Sequence, residues 1–93
     1  MRRLLATLIL AIAAPAAAQG ADIAARGAAL YADNCLECHG PTATEGEVGD
    51  IRGLSLGTVT GAVRSGPGMM PVFALGEDEI RAIVAYLGRL RSG

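Results

Sequence analysis

Apolar and small residues recur at helical spacing in three stretches of the chain. The first stretch runs from Asp22, a candidate N-cap, to Asn34, and it places Gly27 and Tyr31 on one face. A glycine inside a helix costs ~1 kcal/mol relative to alanine. Gly27 therefore indicates that a second helix approaches closely at this position; the alternative is a glycine that the helix merely tolerates.

The second stretch is short and predicts a middle helix. Val59, Ala62 and Val63 recur at helical spacing, and Gly66 followed by Pro67 predicts the end of this helix.

The third stretch predicts a terminal amphipathic helix. Acidic residues occupy positions 77–79, and Arg89 and Arg91 lie near the other end, so both ends are favourable to the helix dipole. Its apolar stripe consists of Ile80, Ile83, Val84, Leu87 and Leu90.

The segments between these helices follow no regular period. Residues 41–54 contain three glycines together with acidic residues, and residues 65–71 contain two prolines and two glycines. Such segments favour turns and loops. No stretch of four or more residues alternates convincingly between apolar and polar, so we expect an all-α fold.

The N-terminus has the pattern of an export signal. Arg2 and Arg3 precede an apolar run over residues 4–14, and small residues lead to Ala18. We expect cleavage after Ala18, which removes residues 1–18 and leaves one domain over residues 19–93 in the periplasm. The apolar run is too short for a retained membrane anchor.

Charge and composition exclude some functions. Cleavage would remove two arginines and leave six against nine acidic residues, a net charge of −3, and the chain has no lysine. A nucleic-acid surface is therefore not expected. The three aromatic residues, Tyr31, Phe73 and Tyr86, leave a core that side chains alone would underfill.

The candidate chemistry lies in residues 35–39, which read Cys-Leu-Glu-Cys-His. This CxxCH pattern is the attachment signature of c-type haem. Residues three apart share one face of a helical turn, so the thiols of Cys35 and Cys38 can both form thioethers with one porphyrin, and His39 can ligate its iron. The alternatives are a thioredoxin-like redox pair, a structural zinc site and a plain disulfide.

A second axial ligand has few candidates. The chain contains no other His and no Lys, so the mature domain offers only the thioethers of Met69 and Met70. Both lie in the turn at residues 66–71, where Pro71 restricts the residue before it to extended conformations. Packing in the core is the alternative role for these side chains.

These features together resemble the small bacterial class I cytochromes c. The resemblance covers residues 22–91 and rests on Gly27 and Tyr31, the CxxCH motif followed by Gly40, the segments 49–53 and 63–71, and the Ala-Tyr-Leu sequence at residues 85–87.

The resemblance implies a class I cytochrome c fold, with three or so helices around one covalent haem c and the first and last helices packed crosswise. In that family the Met directly before Pro ligates the iron, which selects Met70 beside His39. Family members commonly have a Pro in the loop after CxxCH, near where Gly49 and Asp50 stand here, and a carbonyl beside it accepts from the axial His; this sequence lacks that Pro. We expect a carbonyl near Gly49 to accept from His39.

Iron with two protein ligands leaves no open site, and His/Met ligation raises the reduction potential. We therefore expect a one-electron carrier that exchanges electrons with a dehydrogenase, an oxidase or a cytochrome complex, either as a monomer or as a small subunit. A peroxidase-like haem enzyme and a haem-based ligand sensor are the alternatives if Met70 is labile. Arg52 and Arg64 are candidates for binding the haem propionates.

Overall fold

The computed structural model describes residues 16–93 and contains four helices in the order α1 (Ala16–Asn34), α2 (Leu36–His39), α3 (Leu56–Ser65) and α4 (Glu77–Ser92). These residues form no strand, so the all-α prediction is confirmed. Residues 1–15 of the predicted export signal lie outside the described residues. Within residues 16–93, no helix combines the length and the apolarity that crossing a bilayer requires.

Helix α1 begins earlier than the sequence pattern predicts. The predicted N-cap was Asp22, but the helix already includes Ala16 and continues to Asn34 as expected. Residues 16–18 are alanines, which have the highest helix propensity. This local preference extends the helix beyond the apolar pattern.

Helices α1 and α4 pack against each other at Gly27. A Cβ at position 27 would overlap the carbonyl of Ala82 and lie 2.9 Å from the Cβ of Tyr86. One turn further along α1, the ring of Tyr31 lies against that of Tyr86, with centroids 5.4 Å apart. The predicted close approach of a second helix at Gly27 is therefore confirmed.

Helix α3 has the predicted C-terminal end. It begins after Ser55, whose hydroxyl accepts from the Thr58 amide at 3.2 Å. It ends at Gly66, which adopts the left-handed conformation at φ 61°. Val59 and Val63 face the core.

Helix α4 begins and ends where the sequence predicts, with acidic residues in its first turn and basic residues in its last. The Glu79 carboxylate accepts from the Gly76 amide at 2.8 Å and satisfies one of the free donors at the helix start. Arg89 and Arg91 lie in the last turn.

The core lies between α1, α3, α4 and the connecting loops. Its buried members are Tyr31, Ala43, Ile51, Val59, Val63, Leu75, Ile80, Ile83 and Leu87. Several half-buried side chains pack against this cluster, among them Cys35, Met70 and Phe73. The core therefore reaches two of the predicted site residues.

Candidate haem site

The CxxCH motif forms a single helical turn. Cys35 is the N-cap of α2, and its carbonyl accepts from the amides of Cys38 at 3.3 Å and His39 at 3.0 Å. The Gly40 amide closes the turn on the Leu36 carbonyl at 2.8 Å. The structure therefore brings Cys35, Cys38 and His39 together on one local framework.

The two thiols are free and differ in exposure. Cys35 is half-buried and Cys38 is exposed, and no disulfide joins them. Burial, with a smaller contribution from neighbouring Cys38, raises the pKa of Cys35 to about 11. The Cys35 thiol is therefore protonated at neutral pH.

The imidazole of His39 has one buried nitrogen without a partner. Its Nδ1 is buried and makes no hydrogen bond with any described residue. The expected acceptor near Gly49 is therefore not present, and that expectation is wrong. Gly49 has a φ of 73°, which proline cannot adopt, so a proline would not fit at this position of the loop.

The backbone beyond His39 is fixed by its neighbours. The His39 carbonyl accepts from the Glu45 amide at 3.0 Å, and the Gly40 carbonyl accepts from the Ala43 amide at 3.2 Å and from the Tyr31 hydroxyl at 2.6 Å. Gly40 has a φ of 78°, which favours glycine.

Sequence reasoning did not identify the contact between Tyr31 and Gly40. The glycine directly after CxxCH was the available signal, because a glycine at this place indicates a backbone with positive φ. Burial raises the pKa of Tyr31 to about 12, which keeps the hydroxyl a donor over the physiological range.

The loop with the two methionines presents them differently. Gly66 and Gly68 are both in the left-handed region, the Met70 amide bonds to the Pro67 carbonyl at 3.0 Å, and the loop continues into Val72. Met69 is 98% exposed, whereas Met70 is half-buried against the core. The structure therefore turns only Met70 toward the cluster that Cys35 also contacts.

Arg52 is already engaged by a neighbouring carboxylate. Its Nε and Nη2 donate to Asp50 at 2.9 and 2.8 Å, and its amide also donates to Asp50 at 2.9 Å. The Arg52 side chain holds the pKa of the Asp50 carboxyl far below its usual range, with a smaller contribution from Arg91. Asp50 therefore competes with any propionate for Arg52, while Arg64 is exposed.

The residues of this turn fit a covalent haem. Two unpaired thiols three positions apart, followed directly by an imidazole, are the donor set of c-type haem attachment. A thioredoxin-like site needs strands, which residues 16–93 lack. In the same part of the chain, no three His, Cys, Asp or Glu side chains converge to hold a metal ion, as a structural zinc site would need.

Comparison with known families agrees with this donor set. A sequence model of the family described as "Cytochrome C oxidase, cbb3-type, subunit III" matches residues 22–87, which include the CxxCH turn and the methionine loop. No solved structure matches the chain. The cytochrome c domain implies a covalently bound haem c. The chain therefore belongs to the cbb3-type cytochrome c oxidase subunit III family and is a small c-type cytochrome, a haem c electron carrier.

Proposed function

We propose that this protein is a periplasmic one-electron carrier whose haem c is joined to Cys35 and Cys38 and ligated by His39 and Met70. One observation carries the proposal. The turn that presents both thiols and the imidazole contacts, through Cys35, the same core cluster against which Met70 packs.

Each of the four residues has a separate task. Cys35 and Cys38 would hold the porphyrin by thioether bonds, and His39 and Met70 would donate an imidazole nitrogen and a thioether sulfur to the iron. Bound haem c supplies an iron that gains and loses one electron. With protein side chains as ligands on both sides of the iron, no position would be left for a substrate. This favours a carrier over a haem enzyme.

Exposure favours Met70 over Met69 as the second ligand. A side chain that is 98% exposed gains nothing from the core, whereas Met70 already lies against it. Ordering a methionine from solvent costs side-chain entropy, and this cost is lower for Met70, which is already partly buried, than for Met69.

Export through the N-terminal signal would place the carrier in the periplasm. Cleavage after Ala18 would shorten α1 but leave Gln19–Asn34, which retains both Gly27 and Tyr31. The contacts of α1 with α4 would therefore survive processing.

The partner would be another redox protein. The family description names an oxidase subunit, and we propose that this chain likewise works with a respiratory redox complex, as a diffusing donor or as a small subunit. A mature net charge of −3 favours a basic or apolar docking surface.

Intact mass of the exported protein tests haem attachment. The chain is produced in the periplasm of a host with a haem-attachment system, and the Cys35→Ala, Cys38→Ala double variant is the control. We expect a polypeptide that begins at Gln19, carries one haem and keeps it after denaturing electrophoresis, whereas the control carries none. Haem lost on denaturation of the wild type would contradict the proposal.

A further inference from the structure

His39 is held by its main chain rather than by its ring. The carbonyls of His39 and Gly40 both accept hydrogen bonds, whereas the ring Nδ1 has no partner among residues 16–93. A ligating histidine is usually oriented by a hydrogen bond to its second nitrogen. In this chain, the hydrogen bonds that hold His39 are those of the adjacent main chain.

The adjacent backbone needs an external anchor. Helix α2 has four residues, and helices of this length are not stable without tertiary contacts. Helix α2 is followed by its C-cap, Gly40, and glycine has the largest conformational freedom of any residue. The Glu45 and Ala43 amides, which bond to the His39 and Gly40 carbonyls, belong to the loop that follows, so they do not tie this end of the turn to the helix pair.

Tyr31 is a rigid donor for this carbonyl. The residue is 1% exposed, and its ring packs against Tyr86 at the contact of α1 with α4. Its hydroxyl reaches the Gly40 carbonyl at 2.6 Å across nine residues of sequence. The helix pair therefore fixes one end of the CxxCH turn through a single buried hydrogen bond.

We propose that Tyr31 is a positioning residue for the axial histidine: its hydroxyl, through the Gly40 carbonyl, sets the orientation of the His39 imidazole. The inference rests on the proposed ligation by His39. The aromatic ring of Tyr31 fills the contact between the helices, and the hydroxyl has the separate role of positioning His39.

The test compares two tyrosine variants of the oxidised holoprotein. Tyr31→Phe removes the hydroxyl and keeps the ring, and Tyr86→Phe is the matched control, because the Tyr86 hydroxyl makes no hydrogen bond with a described residue. The readout is the pattern of paramagnetically shifted haem methyl resonances, which depends on the orientation of the axial ligands.

We expect Tyr31→Phe to move or broaden the haem methyl resonances, and Tyr86→Phe to leave them at the wild-type positions. A Tyr31→Phe spectrum that matches the wild type, with only a lower melting temperature, would overturn the inference and leave Tyr31 a structural residue. Failure of the proposed function is distinguishable, because the wild type would then lack the spectrum of a His-ligated haem.

A second measurement applies if Tyr31→Phe yields no holoprotein. The chain has only two tyrosines, so 3-fluorotyrosine incorporated into Tyr86→Phe labels Tyr31 alone. Fluorination makes the hydroxyl a stronger donor, and the haem methyl resonances should shift relative to unlabelled Tyr86→Phe. Unchanged resonances would overturn the inference.

Discussion

Gly27 in α1 and Tyr86 in α4 lie so close together that a Cβ at position 27 would stand 2.9 Å from the Cβ of Tyr86. The same Cβ would overlap the main-chain carbonyl of Ala82, which cannot move without bending α4. The absence of a side chain at Gly27 is therefore what lets the two helices meet, and their contact holds Tyr31 in place.

Replacing Gly27 by Ala should destabilise the holoprotein by about 1–3 kcal/mol, the usual cost of overpacking. Gly88→Ala is the matched control, because Gly88 is an exposed helical glycine with nothing within 4 Å of its added Cβ. That variant should gain up to ~1 kcal/mol from helix propensity. Denaturant unfolding measures both free energies of unfolding, and equal effects of the two substitutions would contradict the helix contact.

The sequence predicted the helices well, because the residues that start, stop and pattern a helix lie within it or directly beside it. Gly66 ended α3 as expected, and the acidic first turn and apolar stripe gave α4 its bounds. The sequence pattern did not predict the start of α1, because the apolar pattern begins only at Ile23. The alanines before it have a high helix propensity, and they extend the helix to Ala16.

The contacts around His39 depend on how distant segments of the chain pack together, so the spacing of residues in the sequence could not predict them. The Tyr31 hydroxyl meets Gly40 only because the packing of α1 on α4 sets its position. The missing partner of the His39 Nδ1 also depends on the tertiary structure, because it depends on where the loop after CxxCH places its carbonyls. The sequence shows that the loop near Gly49 and Asp50 lacks a proline, but it does not show where the carbonyls of this loop lie.

The two methionines should respond differently to replacement. Met70→Ala should abolish the sulfur-to-iron charge-transfer band of the oxidised protein and lower the reduction potential, because it removes the proposed axial thioether. Met69→Ala should preserve both, since the Met69 side chain lies in solvent. Optical spectra and redox titration of both variants test this prediction. Loss of the band and of potential in Met69→Ala, but not in Met70→Ala, would show that Met69 is the ligand.

The ion pair of Asp50 with Arg52 predicts a response to acid. A carboxyl whose pKa is lowered in the folded state contributes stability above its ordinary pKa of about 4, and that contribution is lost as the pH falls through the lower folded pKa. In Arg52→Gln, the Asp50 pKa should rise toward the ordinary value but not fully reach it, because the amide at position 52 still donates to Asp50.

Carbon-detected NMR of the Asp50 carboxyl, titrated from pH 7 downward, measures this pKa. Arg64→Gln is the control, because Arg64 makes no ion pair with the described residues. It should leave the Asp50 titration unchanged. A wild-type Asp50 that titrates at an ordinary pKa would show that the pair does not persist in solution.

Carbon monoxide binding to the ferrous holoprotein near neutral pH tests the proposed carrier most directly. With His39 and Met70 both bound, the wild type should bind carbon monoxide slowly or not at all, whereas Met70→Ala, with one axial position open, should bind it readily. Binding by the wild type as fast as by Met70→Ala would contradict a closed coordination sphere and would indicate a haem enzyme or a ligand sensor.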